Sequence, residues 1–161
     1  MKAVAIDAFG SIDTMKVREL PRPDLAPDEV LIRVKAAGVN PVDWKIRQGL
    51  LRERIPHEFP LVLGWDAAGV VEAVGLAVTD FRPTDEVFTY CRKPTVQWGA
   101  YAEYVAVKAA DVAPKPRNMT YEEAATVPLA ALTAWQCLFE AVPWEERGVA
   151  LIHAAAGGVG I

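Results

Sequence analysis

Histidine and cysteine are nearly missing, with two of each in 161 residues. His57 and His153 stand in different segments, and Cys91 and Cys137 lie far apart outside any C-x-x-C spacing. The sequence therefore has neither the clustered ligands of a structural zinc site nor a dithiol redox motif. A disulfide between the two cysteines stays open on sequence alone. Two buried or half-buried free thiols in a cytoplasmic protein are the simpler expectation. Positive charge is short too: 17 Lys and Arg against 21 Asp and Glu leave a net charge of -4, without the basic face that binds nucleic acid. Long hydrophobic runs are lacking. The longest apolar stretch, Ala124 to Val142, is broken by Pro128, Thr133, Gln136 and Glu140, whereas a membrane helix needs ~20 mostly apolar residues. The opening MKAVAIDAFG has no extended apolar stretch of the kind a secretory signal carries. Neither nucleic acid nor a membrane is an expected partner.

What is present fits a soluble globular chain, with 52% hydrophobic and 24% charged residues and length for one domain with a little left over. The first 110 residues read as short strands between Gly and Pro punctuation. Lys2–Asp7 is a short apolar run, and Met15–Leu20 alternates apolar and polar residues. In Glu29–Val39 the residues Val30, Ile32 and Val34 share one face. Ala67–Val74, Asp85–Tyr90 and Ala100–Val107 are further strand candidates. Many short strands of this kind predict a mainly β fold with flanking helices, a closed or partly open barrel. Pro41–Gln48, with Pro at its start and Gly49 after it, predicts a helix. After Pro114 and Pro116 the texture turns helical. Thr120 and Glu123 have capping-box spacing before YEEAAT, and Pro128 opens a second helix with Leu129, Leu132, Trp135 and Phe139 at helical intervals. WEERG (144–148) reads as a turn, and Val149–Ala154 as an apolar strand suited to the middle of a parallel sheet.

That strand runs into Ala155-x-Gly157-x-x-Gly160, the dinucleotide fingerprint with Ala in its first position. A small residue permits the tight turn, the middle glycine lets backbone approach a pyrophosphate, and the last lets a helix pack on the strand. Ala155, Ala156, Gly157, Gly158, Val159 and Gly160 are thus candidate cofactor-binding residues. By itself the spacing also fits an ordinary small-residue turn, and both readings stand at this point.

Four stretches, AAGVNPVDWKIRQG (36–49), LGWDAAGVVEAVG (63–75), GAYAEYVAV (99–107) and HAAAGGVG (153–160), together resemble the amino-terminal half of a medium-chain dehydrogenase/reductase of the quinone oxidoreductase branch. The resemblance implies a GroES-like, partly open β-barrel catalytic domain over residues 1–118, connecting helices over 119–147, and the opening of a Rossmann domain over 148–161. It implies an NADPH-dependent enzyme that passes hydride to a quinone or enone. Zinc-dependent members of the superfamily carry Cys where this chain has Asn40, and His-Glu where it has Trp65 and Asp66, so the resemblance implies no zinc. Neither Asn nor Trp can replace those ligands. Asn40 and Asp43 match the family's Asn and Asp. The Asn40 amide is expected to donate to a substrate oxygen or orient the nicotinamide region, and equally to cap the helix. Asp43 is expected to order that helix, and Trp65 to wall the acceptor pocket or pack in the core. Thr133 matches a family Thr expected near the nicotinamide or cofactor phosphates, and His153 a structural place beneath the cofactor. Asp66 reads as a surface or network carboxylate, and Tyr101 and Tyr104 as barrel residues.

With one strand and one turn of a nucleotide domain in the sequence, the expectation is a fragment of a longer reductase, inactive alone. A stand-alone GroES-like module and a zinc alcohol dehydrogenase relative are the alternatives. An unpaired apolar strand invites pairing with another chain, so a homo-oligomer joined through the carboxy-terminal segment, or poor order in that segment, is expected.

Overall fold

A computed structural model describes residues 1–141 and 149–160. Nine strands form among them: β1 (Lys2–Ile6), β2 (Lys16–Glu19), β3 (Glu29–Gly38), β4 (His57–Val62), β5 (Asp66–Val74), β6 (Glu86–Tyr90), β7 (Val96–Trp98), β8 (Tyr104–Lys108) and β9 (Val112–Pro114). They make two open sheets, one ordered β2-β1-β4-β7 and the other β8-β3-β5-β6-β9. The second is antiparallel throughout, and its long central pair runs from Val30 opposite Val74 to Gly38 opposite Asp66. Val30 and Ile32 point into the core while Arg33 and Lys35 face water, so alternation in β3 sets which face is buried.

The strand expected from Ala100 begins only at Tyr104. The preceding residues are shared between the sheets: Val4 N–H donates to the Tyr101 carbonyl at 2.8 Å, Glu103 N–H to Lys2 at 3.0 Å, and Val34 N–H to Glu103 at 2.9 Å. A segment bonded to two sheets cannot keep one ladder. The core divides accordingly. Val30, Ile32, Ala67, Val87 and Val105 fill one side, and Ile6, Ile46, Leu61, Leu63 and Trp65 the other. Burying a Leu or Ile side chain of this kind contributes about 1.5–3 kcal/mol.

Helix α1 (Pro41–Arg47) starts on its proline and ends in a Schellman motif. Gly49 takes φ +75°, its N–H reaches Ile46 at 2.8 Å, and Leu50 N–H reaches Lys45 at 2.9 Å. Helix α2 (Tyr121–Ala125) opens on the expected capping box, with Glu123 N–H on Thr120 Oγ1 and Thr120 N–H on the Glu123 carboxylate. It lays Ala124 and Ala125 on Ala68 of β5. A Cβ at Gly38 would stand 2.3 Å from the Ala125 carbonyl oxygen, so only glycine lets α2 lie this close to β3. Helix α3 (Pro128–Trp135) follows and loosens into a π-helical turn at Gln136–Glu140.

Val149–Ala154 does not form the expected strand. It is irregular, turning from His153, and Val149 is 98% exposed. An apolar strand is held by its neighbours, and no described strand lies beside it. The turn expected at WEERG lies outside the described residues. Of the two free cysteines, Cys91 is buried, as expected, but Cys137 is exposed because it lies on the π-helical turn, where no described element covers it.

Candidate active site

The site grows from the junction of β3 and α1. After Gly38 the backbone stays extended through Asn40 (φ -123°, ψ 156°), the residue before Pro41. Asn40 N–H donates to Asp43 Oδ2 at 2.7 Å, so a carboxylate in the first turn satisfies the chain entering α1. Asp43 is 4% exposed. The same oxygen accepts from the Tyr101 hydroxyl at 3.0 Å, and Oδ1 accepts from Gly64 N–H at 3.3 Å. Gly64 has φ +91°, and a Cβ there would sit 2.5 Å from the Tyr101 ring. Glycine at 64 is therefore what lets Tyr101 approach Asp43.

A second carboxylate lies on the other side of Asn40. Asp66, at the start of β5, has no exposed surface. Its Oδ2 accepts from Asn40 Nδ2 at 2.8 Å, and its Oδ1 accepts from Leu129 N–H, in the first turn of α3, at 3.0 Å. One buried side chain thus ties the entry of α1 to the entry of α3. Burial pushes the Asp66 carboxyl up to about 6, against the pull of the Asn40 and Leu129 hydrogen bonds, and the nearby Asp43 charge adds to the rise. Burial also raises Asp43 above the usual carboxylate range, with Asn40, Tyr101 and Gly64 opposing. The Tyr101 phenol is driven well above its ordinary value by burial and by the Asp43 carboxylate, so it remains a hydrogen-bond donor at neutral pH.

The structure therefore brings Asn40 and Asp43 together and adds Asp66 and Tyr101. Asp66 is a network residue with no surface. Tyr101, expected only as a barrel residue, also supplies a donor to the site. No local pattern marks either role, since both depend on partners 26 and 58 residues away in sequence. Trp65 is 7% exposed and packs with Ile46, Leu61 and Leu63. Its ring meets Tyr90 edge-on at 6.0 Å, with the Arg92 guanidinium 5.6 Å from its centroid. Thr133 bonds back along its own helix, its hydroxyl donating to the Leu129 carbonyl at 2.7 Å. It thus stands one turn beyond the residue that Asp66 holds.

Residues 154–160 form consecutive tight turns, with Gly157 N–H on Ala154 at 2.8 Å and Gly160 N–H on Gly157 at 2.9 Å. A Cβ at Gly160 would meet Ala155 Cα at 2.6 Å, while Gly158 has no heavy atom within 4 Å of that position. Ala155, Ala156, Gly157, Gly158 and Val159 are exposed, and so is His153. Among the described residues no hydrogen bond joins this loop to the Asn40 network. An apolar groove of about 440 Å³ lies between α3 and the β6–β9 pair, lined by Phe88, Tyr90, Val112, Pro128, Leu132 and Trp135. Asn40, Asp43 and Asp66 do not line it. The described residues include no helix long and apolar enough to cross a membrane.

Residues 26–117 match the alcohol dehydrogenase GroES-like domain. The chain belongs to this family. Within it, the GroES-like chain is 39% identical over 166 residues to the chloroplastic quinone-oxidoreductase homolog of Spinacia oleracea, covering 99% of this chain and 50% of that protein. It is 39% identical over 165 residues to the 2-methylene-furan-3-one reductase of Solanum lycopersicum, covering 99% and 42% respectively. The crystal structure of Escherichia coli quinone oxidoreductase complexed with NADPH superimposes with a TM-score of 0.85 at 31% identity, over 99% of this chain and 47% of that one. The domain thus sits among quinone oxidoreductases and enone reductases of the medium-chain dehydrogenase/reductase superfamily. It spans about half the length of the curated relatives it matches.

Proposed function

We propose that this chain is the catalytic domain, together with the opening of the nucleotide domain, of a reductase that passes hydride from NADPH to a quinone or α,β-unsaturated carbonyl without zinc. The observation that carries the proposal is Asn40. Asn40, with its side-chain amide on Asp66 and its backbone N–H on Asp43, stands where zinc-dependent relatives are expected to carry a thiolate. The chemistry of the surrounding donors supports the zinc-free reading. Trp65 has no ligand atom to offer, and both Asp66 oxygens are engaged. Among the described residues no three His, Cys, Asp or Glu side chains cluster as a metal would need.

The residues present fit a dinucleotide in two places. At Gly157, the middle glycine of the spacing, a Cβ would press on the Ala154 carbonyl at 3.1 Å, and Gly158 beside it has no heavy atom within 4 Å, so bare backbone is offered as a pyrophosphate needs. Asn40, half-buried, with one amide N–H on Asp66 and its side-chain oxygen in the α1 capping box, keeps one N–H donor for a ligand. When bound, NADPH supplies the hydride. Asn40 positions the nicotinamide region or donates to the acceptor oxygen as negative charge develops there. Asp43 fixes the backbone turn that carries Asn40, Tyr101 holds Asp43, and Trp65 forms a wall behind the site. Thr133 and the 155–160 turn are the cofactor-side residues.

Two measurements test this. NADPH titrated into the 161-residue chain should bind no tighter than millimolar, because most of a Rossmann site needs further β-α units; micromolar affinity would overturn the division of the site between this chain and a longer partner sequence. The full-length reductase carrying this segment should reduce quinones or enones with NADPH after dialysis against a chelator. Stoichiometric zinc with chelator-sensitive alcohol oxidation would refute the zinc-free assignment.

A further inference from the structure

An asparagine side chain can face a partner with either end, since oxygen and NH2 have nearly the same shape. At Asn40 the partner removes the choice. An ionised carboxylate only accepts hydrogen bonds, and Asp66 Oδ2 lies 2.8 Å from the Asn40 amide nitrogen. The reverse orientation would set two oxygens against each other at hydrogen-bond distance. The carboxylate cannot turn aside, because its other oxygen accepts from Leu129 N–H at 3.0 Å and the side chain has no exposed surface. Asn40 itself is half-buried, and its side-chain oxygen faces the Asp43 backbone N–H in the capping box that opens α1.

We propose that Asp66 is a positioning residue that fixes the polarity of the Asn40 amide, so that the amide presents its second N–H, a donor, to the ligand while its carbonyl is turned toward the first turn of α1. This rests on the proposed function, in which Asn40 meets the nicotinamide region or the acceptor oxygen. Only a carboxylate at 66 enforces this polarity, because an amide that keeps the Leu129 bond would turn its NH2 toward Asn40 and favour the reverse, and an apolar side chain would impose none. Because the same carboxylate is pinned by α3, the helix that carries Thr133, the amide is oriented relative to that helix as well as to α1.

Asp66→Asn tests the idea with little change of shape. The new side chain can keep the Leu129 bond through its oxygen, but it turns an NH2 group toward Asn40 and drives the Asn40 carbonyl inward. In the ¹H–¹⁵N spectrum of the 161-residue chain, wild-type Asn40 should show one side-chain proton protected and shifted by the carboxylate and one free. Asp66→Asn should abolish that signature. In the full-length reductase kcat should fall on the order of 10- to 100-fold, the range for groups that orient a ligating side chain, with a smaller change in melting temperature. The exchanged pair Asn40→Asp/Asp66→Asn restores a donor–acceptor match, so it should recover stability but not kcat. It also keeps the test open if Asp66→Asn alone fails to fold. The proposal is overturned if both Asn40 side-chain protons of the wild type behave as free amide protons, or if Asp66→Asn keeps wild-type kcat. Absence of NADPH-dependent reduction by the wild-type full-length enzyme would refute the proposed function instead, while the spectrum of the chain would still decide the amide's orientation.

Discussion

Urea unfolding of this chain between pH 5 and 7.5, followed by tryptophan fluorescence, should show stability falling as the pH rises. The cause is the Asp66 carboxyl, which burial pushes from 3.8 to about 6 in the folded chain. Between those values the folded state holds a proton that the unfolded chain has released, so the native state binds more protons and raising the pH favours unfolding. At about 1.4 kcal/mol per pH unit, the full rise corresponds to about 3 kcal/mol of lost stability above pH 6. Roughly 1 kcal/mol of it falls between pH 5 and 7.5. Asp43, raised for the same reason, steepens the loss. Glu86 works the other way, because Tyr121 and Lys115 lower its carboxyl below the ordinary 4.5; its contribution is complete above that pH and vanishes only in more acid solution. Asp66→Asn should remove most of the slope. The reasoning is refuted if wild-type stability is flat or rises from pH 5 to 7.5, or if the variant keeps the wild-type slope.

Tyr101→Phe removes the hydroxyl that donates to Asp43 at 3.0 Å and leaves that buried carboxylate one donor short. A loss of about 1–3 kcal/mol in urea unfolding at neutral pH is expected, and a value near zero would mean that water replaces the phenol. Gly38→Ala should cost about 1–3 kcal/mol or more, because its Cβ would lie 2.3 Å from the Ala125 carbonyl. Gly158→Ala, with open space at the same atom, serves as the neutral control in the same melting experiment; equal effects of the two would show that α2 does not press on β3 as described.

Legibility in the sequence followed the range of the forces involved. Helix α1 is readable because Pro41 and Gly49 act on their own backbone, and α2 because Thr120 and Glu123 bond within one turn. β3 is readable because Val30, Ile32 and Val34 share one face, and β5 because β-branched and small residues run between Gly64 and Gly75. β4 is not, since Pro60 interrupts it and only Leu61 and Val62 pair with β1. β7 and β9 are three residues each and exist through the strands beside them. The site divides in the same way. Asn40 and Asp43 are neighbours on one motif, and the resemblance points to both. Asp66 stands within a second motif, but its engagement with Asn40 and α3 is created only by folding. Tyr101 is hidden for the same reason. Val149–Ala154 has the composition of a buried strand without described neighbours to make it one.

The stretch from Tyr101 to Glu103 serves both sheets with its backbone and Asp43 with its one phenol. This couples the two sheets to each other and to the site at one place. Opening either sheet at this point withdraws support from the other and from the turn that carries Asn40 in the same event. The pieces that hold the amide are therefore members of one cooperative unit, not a loop that frays by itself. A proton taken up by a carboxylate at the site is felt as a change in the stability of the whole fold. The rigidity that an orienting amide requires comes from the same bonds that close the two sheets together.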